Sequence, residues 1–354
     1  MGLQIIKPDT KIDFVGLRKI AFIVSAILIL CGLGSLLIKG GPKYGIDFAG
    51  GMIVQVKIDK ATDAASVKEA VKEVNLPGLV VQSIGLEGDH EYLIRTSSSD
   101  ITSEEVRAKI NKALTDNLGA SFEIQRLEMV GPKVGADLRS QALEALFYAV
   151  LLIAVYISGR FEQRWTAAAV MAAALGGCVY GLGLLDLDMG WLILAALFIT
   201  VGLCWYLKLN YALGAVAALI HDVLITVGLF SIMNKEFDLT IIAALLTLVG
   251  YSLNDTIIVF DRIRENVIAR QGKMPFGQII NLSVNQTLSR TIMTSGTTLL
   301  VVLCLYIMGG SVIHDFALAL LIGITVGTYS SIFVASPILY GFGPSELKAA
   351  EEED

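Results

Sequence analysis

The sequence predicts an α-helical polytopic membrane protein with about eight transmembrane helices and one small extracytoplasmic α/β domain between the first and second of them. Three observations predict it. The chain of 354 residues is 55% hydrophobic and only 17% charged, where a soluble domain carries about 25% charged residues. Its mean hydropathy is +0.68. Its apolar residues fall into runs of roughly the 20-residue length that crosses a hydrocarbon core, with one long polar stretch between the first two runs.

The runs cover 20–38, 141–158, 166–185, 191–207, 211–232, 239–260, 291–309 and 314–337. The first follows Lys7, Lys11, Arg18 and Lys19. It is longer than the apolar core of a cleavable signal and no small-residue cleavage pattern follows it, so it is expected to remain as the first transmembrane helix. The third and fourth runs are rich in Ala and Gly and are joined by the short acidic turn Asp186–Asp188. A re-entrant hairpin is the other reading of that pair. Basic residues set the orientation. One side holds the N-terminal cluster together with Arg160, Arg164, Lys208, Arg262, Arg264, Arg270, Lys273 and Lys348, and the short loops of the other hold only Lys235. Both termini are therefore assigned to the cytoplasmic side: residues 1–38 comprise a cytoplasmic N-terminus and the first transmembrane helix, 341–354 is an acidic cytoplasmic tail, and 39–138 lies outside.

Residues 39–138 read as one small domain. Met52–Ile58 alternates as a strand, Ala64–Val74 is an amphipathic helix, and Leu79–Gly85 and Glu91–Thr96 are strands around a turn. Ser103–Leu118 is a second helix, with Thr102 or Ser103 as N-cap, and Phe122–Val130 is a last strand. This alternation predicts a ferredoxin-like sandwich. His90 stands alone beside Asp89 in a turn and reads as a surface histidine. With no Ser/His/Asp set and no nucleotide loop, the domain is expected to bind or to transmit movement, and the chain is not expected to be an enzyme. Cys31, Cys178, Cys204 and Cys304 all lie in apolar runs and read as small fillers rather than metal ligands or disulfide partners. No metal and no cofactor are expected, and a net charge of −6 gives no reason to expect nucleic acid.

The chemistry concentrates in 239–260. Asn254, Asp255 and Thr256 lie inside this run, and a carboxylate at that depth costs at least a few kcal/mol. Such a group marks a proton relay, an ion path or a partnered charge; packing against Asn254 or Thr256 is the plain reading. A proton path needs a group whose affinity for the proton can be tuned by burial and by a movable cation. Arg290 opens the next span and enters from the same side, Asp255 being roughly 9 Å of helix from Asp261. Arg290 stays protonated, so it serves as counter-ion or gate rather than carrier, unless it only extends to the membrane interface. His221 and Asp222 lie in another span. A titrating histidine and a plain interhelical hydrogen bond are equally open. Thr294, Thr297 and Thr298 extend a polar seam or simply pack helices. Asp261, Arg262, Arg264 and Glu265 read as a cytoplasmic charged face, and Phe276–Leu288 as an amphipathic stretch at the membrane surface.

Six motifs occur in order: GIDFAGG at Gly45–Gly51, VGPKVGADLR from Val130, ALGAVAALIHDVLI around His221, GYSLNDTIIVFDRIREN from Gly250, LSRTIMTSGTT from Leu288, and DFALALLIGITVGTYSSIFVASPILY from Asp315. Together they resemble the SecF family, the smaller membrane subunits of the bacterial SecD–SecF protein-export accessory complex, in the resistance–nodulation–division group of proton-driven machines. The resemblance implies a proton-motive-force-driven accessory subunit of the Sec translocase that promotes late steps of polypeptide export across the bacterial inner membrane. It implies a SecD-like partner, the SecYEG translocon and the translocating unfolded polypeptide as contacts, all within the lipid bilayer. It ties the Asp of the fourth motif and the Arg of the Ser-Arg-Thr motif to proton conduction, roles that fall on Asp255 and Arg290. The chain departs from the family at one place. The family has six spans, its Arg-Phe-Glu motif running almost directly into Ala-Leu-Gly, whereas here about 165–210 intervenes within the bundle 139–340 as an inserted pair of helices. Two other functions stand beside this one: a proton-driven exporter of small molecules or lipids of the same superfamily, and a passive assembly scaffold.

Overall fold

A bilayer offers backbone polar groups no partner, so chain that crosses it must satisfy its own hydrogen bonds as helix. The computed structural model describes residues 10–60, 62–84, 88, 90–97, 102–162, 165–183, 189–270 and 273–342. Lys7, Arg164, Lys348, the turn 186–188 and the acidic tail lie outside the described residues. Helix α1 (Phe14–Lys39) is capped by Asp13, whose carboxylate accepts from the Gly16 amide at 2.8 Å. It ends at Gly40, whose φ of 73° is the left-handed closure that glycine permits. A single helical turn, α2 (Ile46–Ala49), follows. Next come β1 (Gly51–Ile58), α3 (Ala64–Lys72), β2 (Val80–Ile84), β3 (Glu91–Thr96), α4 (Ser103–Leu118) and β4 (Phe122–Val130). The bundle is α5 (Pro132–Glu162), α6 (Trp165–Gly183), α7 (Met189–Tyr206), α8 (Asn210–Ile232), α9 (Leu239–Arg270), α10 (Phe276–Met308) and α11 (Gly310–Ser330). A five-residue π-turn, Ser331–Ala335, joins α11 to α12 (Ser336–Phe342).

Among the described residues six stretches have the length and apolarity to cross a membrane: Phe14–Lys39, Pro132–Phe161, Asn210–Ile232, Leu239–Arg270, Phe276–Met308 and Ile313–Phe342. The eight apolar runs of the sequence therefore map onto these six plus α6 and α7, continuous helices of 19 and 18 residues that pack beside α5. Several helices outrun their apolar segments. The amphipathic stretch 276–288 is not a separate surface helix but the first part of α10. Its Phe276, Ile279, Ile280 and Val284 are buried in the bundle, because these apolar positions recur at helical spacing and continue the face of the span behind them. Tight crossings rest on small residues: a Cβ built on Gly228 of α8 would lie 2.7 Å from the Gly32 Cα of α1, so these two helices meet backbone to backbone.

The four strands form one antiparallel sheet in the order β2-β3-β1-β4. With a helix after β1 and another after β3, this is the split βαβ topology of a ferredoxin-like domain. Period-2 alternation explains its core. Met52, Val54, Val56 and Ile58 of β1 point to one face and are buried against Val67 and Val71 of α3 and Val106, Ile110 and Leu114 of α4.

The glycine pair ahead of β1 sets how this domain leaves the membrane. Gly50 and Gly51 have φ of 75° and 127°, and a Cβ on Gly51 would stand 2.6 Å from the Thr96 carbonyl. Only glycine fits that approach. The same segment is tied to the loop between α8 and α9. Gly45 N–H donates to the Phe237 carbonyl at 2.7 Å and Phe237 N–H to the Lys43 carbonyl at 2.8 Å. The Asp47 carboxylate accepts from the Leu239 amide, the first of α9, at 3.0 Å. Glu236 lies between Lys43, at 3.0 Å, and Arg95 of β3, whose guanidinium engages both carboxylate oxygens. Lys235 pairs with Asp315 at 2.7 Å.

Burial alone pushes the Glu236 carboxyl up, but the hydrogen bonds and charges of Arg95, and then of Lys43, outweigh it and hold it below the usual glutamate range. A depressed folded-state pKa means the junction's stabilisation is present at neutral pH and is lost as pH falls through that depressed value. Amide protection at 43–47 and 236–239, the measured exchange rate set against the intrinsic rate at the same pH, is therefore expected to be high in the wild type at neutral pH and to fall only in acid, as pH drops through the depressed Glu236 value. In Glu236→Gln protection should be low at neutral pH already, and pH-independent protection in the wild type would contradict the assignment.

Candidate functional site

Ser252, Asp255, Thr256 and Val259 recur at i, i+3, i+4 and i+7 on α9 and form its buried face toward α10 and α11. Asp255 is 1% exposed, so its polar atoms must find donors on neighbouring helices. Its Oδ2 accepts from the Ser295 hydroxyl of α10 at 2.9 Å and, at a longer 3.5 Å, from Thr328 of α11. The two hydroxyls are themselves 2.8 Å apart. Among the described residues its Oδ1 has no partner although it is buried, and the Thr291 hydroxyl of α10 is in the same position. An orphaned buried carboxylate oxygen costs about 1–3 kcal/mol or more, and such a group in a folded protein calls for a reason.

Arg290 sits on α10 one and a half turns, roughly 7.5 Å, from Ser295 on the side toward the start of the helix. It is exposed, and no ion pair within 4.0 Å joins it to Asp255. The structure thus places the arginine near the carboxylate without contact. Asn254 lies on the exposed side of α9, away from this cluster. Thr256 is buried but donates to its own helix at the Ser252 carbonyl, 3.2 Å away. Thr294 bonds back to the carbonyls of Arg290 and Thr291, at 3.0 Å each. Ser295 and Thr328, by contrast, were not singled out from the sequence. Both stand in runs rich in Ser and Thr, MTSGTT and GTYSS, where only the helix-facing position separates a donor from its neighbours.

A second buried carboxylate lies on α8. Asp222 is fully buried. Its Oδ1 is 2.9 Å from His221 Nδ1, and its Oδ2 accepts from Ser252 of α9 at 2.6 Å and from Ser330 of α11 at 2.8 Å. His221 Nε2 continues to Ser25 of α1 at 2.9 Å, and Ser25 to the Tyr329 hydroxyl at 3.2 Å. With Asp222 accepting from Nδ1–H, a neutral His221 leaves Nε2 to accept the Ser25 proton, so every polar atom of this set is used. The two centres share their scaffold: Ser252 and Asp255 are on α9, Ser330 and Thr328 on α11. Gly327 lets these helices lie close, since a Cβ there would come within 3.0 Å of the Ser252 Cβ. The π-turn Ser331–Ala335 begins one residue past Ser330 and resets the register of the helix behind it; single π-turns of this kind recur at functional sites.

At the far end of α9, Arg160 pairs with Asp261 at 3.2 Å and Arg262 with Glu265 at 3.0 Å, forming an exposed charged face. Among the described residues no group of three His, Cys, Asp or Glu side chains is placed to hold a metal ion.

The contrast between the two carboxylates predicts opposite mutational costs. Asp222→Ala removes the acceptor of three buried donors and is expected to lower unfolding stability by about 3 kcal/mol or more. Asp255→Asn keeps an oxygen for Ser295 and is expected to change stability by less than about 1 kcal/mol. Urea or thermal unfolding of the purified variants in one detergent checks both.

Comparison with known proteins places this arrangement. The family model described as "Protein export membrane protein SecD/SecF, C-terminal" matches residues 110–187 and 183–344, in two stretches that meet between α6 and α7, and the "SecD/SecF GG Motif" matches 35–62. The protein translocase subunit SecF of Calditerrivibrio nitroreducens is 40% identical over 344 residues, covering 96% of each chain. That of Magnetococcus marinus is 41% identical, covering 99% of this chain and 98% of its own. The crystal structure of SecDF, a translocon-associated membrane protein from Thermus thermophilus, superimposes with a TM-score of 0.69 at 30% identity. That match covers 96% of this chain but 39% of the other, so the present chain corresponds to about two fifths of that longer molecule. A super-membrane-facing form of SecDF matches with a TM-score of 0.57.

Proposed function

The chain belongs to the SecD/SecF family of protein-export membrane proteins and aligns end to end with its SecF members; from that premise we propose that it is the SecF-type accessory subunit of a Sec translocase, using the proton-motive force to promote late steps of polypeptide export. The observation that carries this reading is the half-satisfied carboxylate of Asp255 at bilayer depth, with one oxygen held by Ser295, whose hydroxyl is in turn 2.8 Å from Thr328, and the other without a partner among the described residues. A proton arriving at the free oxygen neutralises the group without first breaking a hydrogen bond. Arg290, near and without an ion pair among the described residues, supplies the cation that favours the charged state when it approaches.

Protonation at the other oxygen turns the one facing Ser295 from a charged into a neutral, weaker acceptor, and so loosens how α10 sits against α9. The first amide of α9 is held by Asp47, and the residue three before it, Glu236, is held by Arg95 of the sheet. A displacement of α9 is thereby passed to the domain outside. The partner subunit is of the SecD type, which supplies the rest of the two-part machine represented by the longer SecDF chain. The SecYEG channel and the unfolded polypeptide lie beyond it. The site is in the bacterial inner membrane, with both termini cytoplasmic and 39–138 on the far side, as the distribution of basic residues supports. The pair α6–α7 crosses the membrane and returns, an insertion that leaves the sidedness of α8 to α12 unchanged.

Asp255→Asn is expected to abolish the proton-gradient-dependent stimulation of export in inverted vesicles while the variant still co-purifies with a SecD-type subunit. Undiminished stimulation would remove Asp255 from the relay, and loss of co-purification would move its role to assembly.

A further inference from the structure

A cavity of about 240 Å³ opens between α5, α7, α8 and α9, beneath α2. On α5 its wall runs from Arg139 through Leu143 and Leu146 to Val150. That length of helix rises about 16 Å, roughly half of a 30 Å hydrocarbon core. The cavity therefore reaches from the end of the bundle that carries the sheet domain down to about the midplane, the depth of one leaflet. Leu197 of α7 forms part of its side, so the helix pair absent from the family pattern contributes a wall.

The lining is apolar except near its mouth, where Arg139 stacks over the Tyr44 ring at 5.3 Å from the centroid. Among the described residues no carboxylate lies within the 4.0 Å of an ion pair with Arg139. Its guanidinium is permanently charged and offers a planar fork that matches phosphate oxygens. The slot below has the volume of roughly eight waters but nothing for them to bond to, so water does not fill it.

We infer that this cavity is a binding site for an anionic phospholipid of the leaflet on the sheet-domain side. The headgroup phosphate engages Arg139 and one acyl chain occupies the slot. Charge complementarity selects the headgroup, and a volume of about 240 Å³ leaves room for one chain and not two. The bound lipid lies against α2 and the first half of α9, beneath the junction formed by Asp47, Phe237 and Leu239. It therefore sets how closely the glycine-pair segment can approach the membrane.

The test is native mass spectrometry of the full chain, alone and co-purified with its SecD-type subunit, with equimolar phosphatidylglycerol and phosphatidylcholine added. The expected result is one phosphatidylglycerol retained in preference to phosphatidylcholine by about ten-fold, the scale of one charge-assisted contact, in both preparations. Arg139→Gln should lose the preference and Arg139→Lys should keep most of it. Leu143→Trp, which fills the slot, should lose retention of either lipid. Leu146→Trp serves the same purpose if the first does not elute as a folded species. Absence of a preference in the wild type, its persistence in Arg139→Gln, or retention by a folded slot-filled variant would overturn the proposal. Retention by the isolated chain that vanishes in the complex would show a protein helix to be the occupant instead.

Discussion

A carboxylate held at bilayer depth must be met by donors from the helices around it, and the two buried aspartates of this bundle meet that demand unequally. Asp222 accepts from His221, Ser252 and Ser330, and its histidine is anchored in turn on α1 through Ser25. Four elements converge on this one side chain, and their mutual positions follow from it. Among the described residues Asp255 has only Ser295 and a long contact to Thr328, both on one oxygen. Because α9 and α11 carry residues of both centres, the saturated site holds the frame against which the unsaturated one can change. The proposed mechanism divides structure and chemistry between two acids of the same type by their hydrogen-bond supply rather than by their depth.

In the proposed mechanism, what happens at Asp255 leaves the membrane along the helix that carries it. Helix α9 offers such a route, since its first amide is capped by Asp47 and the preceding loop is bonded strand-like to Lys43 and Gly45. Directly after this segment stand Gly50 and Gly51, whose left-handed backbone lets β1 pass against the Thr96 carbonyl. Arg95, on the strand beside β1, returns to Glu236. The glycine-rich motif is thereby explained by geometry: it is the joint at which a bundle helix, a short turn and a sheet meet, and no nucleotide or phosphate is needed to account for it. The lipid proposed for the apolar slot under the same joint would lie where it can brace that movement.

Much of this was legible in the residues. The helices were visible because an apolar run of span length has few other fates, and the sheet domain because β1 alternates with period two, α3 is amphipathic and α4 follows a cap at Thr102. Helix ends were less visible. Phe276–Leu288 is polar enough to suggest a surface segment, yet its apolar positions continue the buried face of α10, and only packing against the bundle reveals that. At the site, a lone acid in an apolar run announces Asp255 by its cost. Its donors do not announce themselves, since hydroxyls are frequent in these helices and most, as at Thr294, bond to their own backbone. The pairing of Asp222 with Ser252 and Ser330 likewise depends on the relative rotation of three helices, which no local pattern encodes.

In the proposed mechanism Asp255, and not Asp222, is the membrane carboxyl that gains and loses a proton. Infrared difference spectroscopy of the reconstituted protein across a pH titration tests it directly, by following the carbonyl stretch of protonated carboxyl groups. The account predicts a titrating band that disappears in Asp255→Asn and persists when Glu236 is replaced by Gln at the membrane surface. A titrating band that survives unchanged in Asp255→Asn would contradict it.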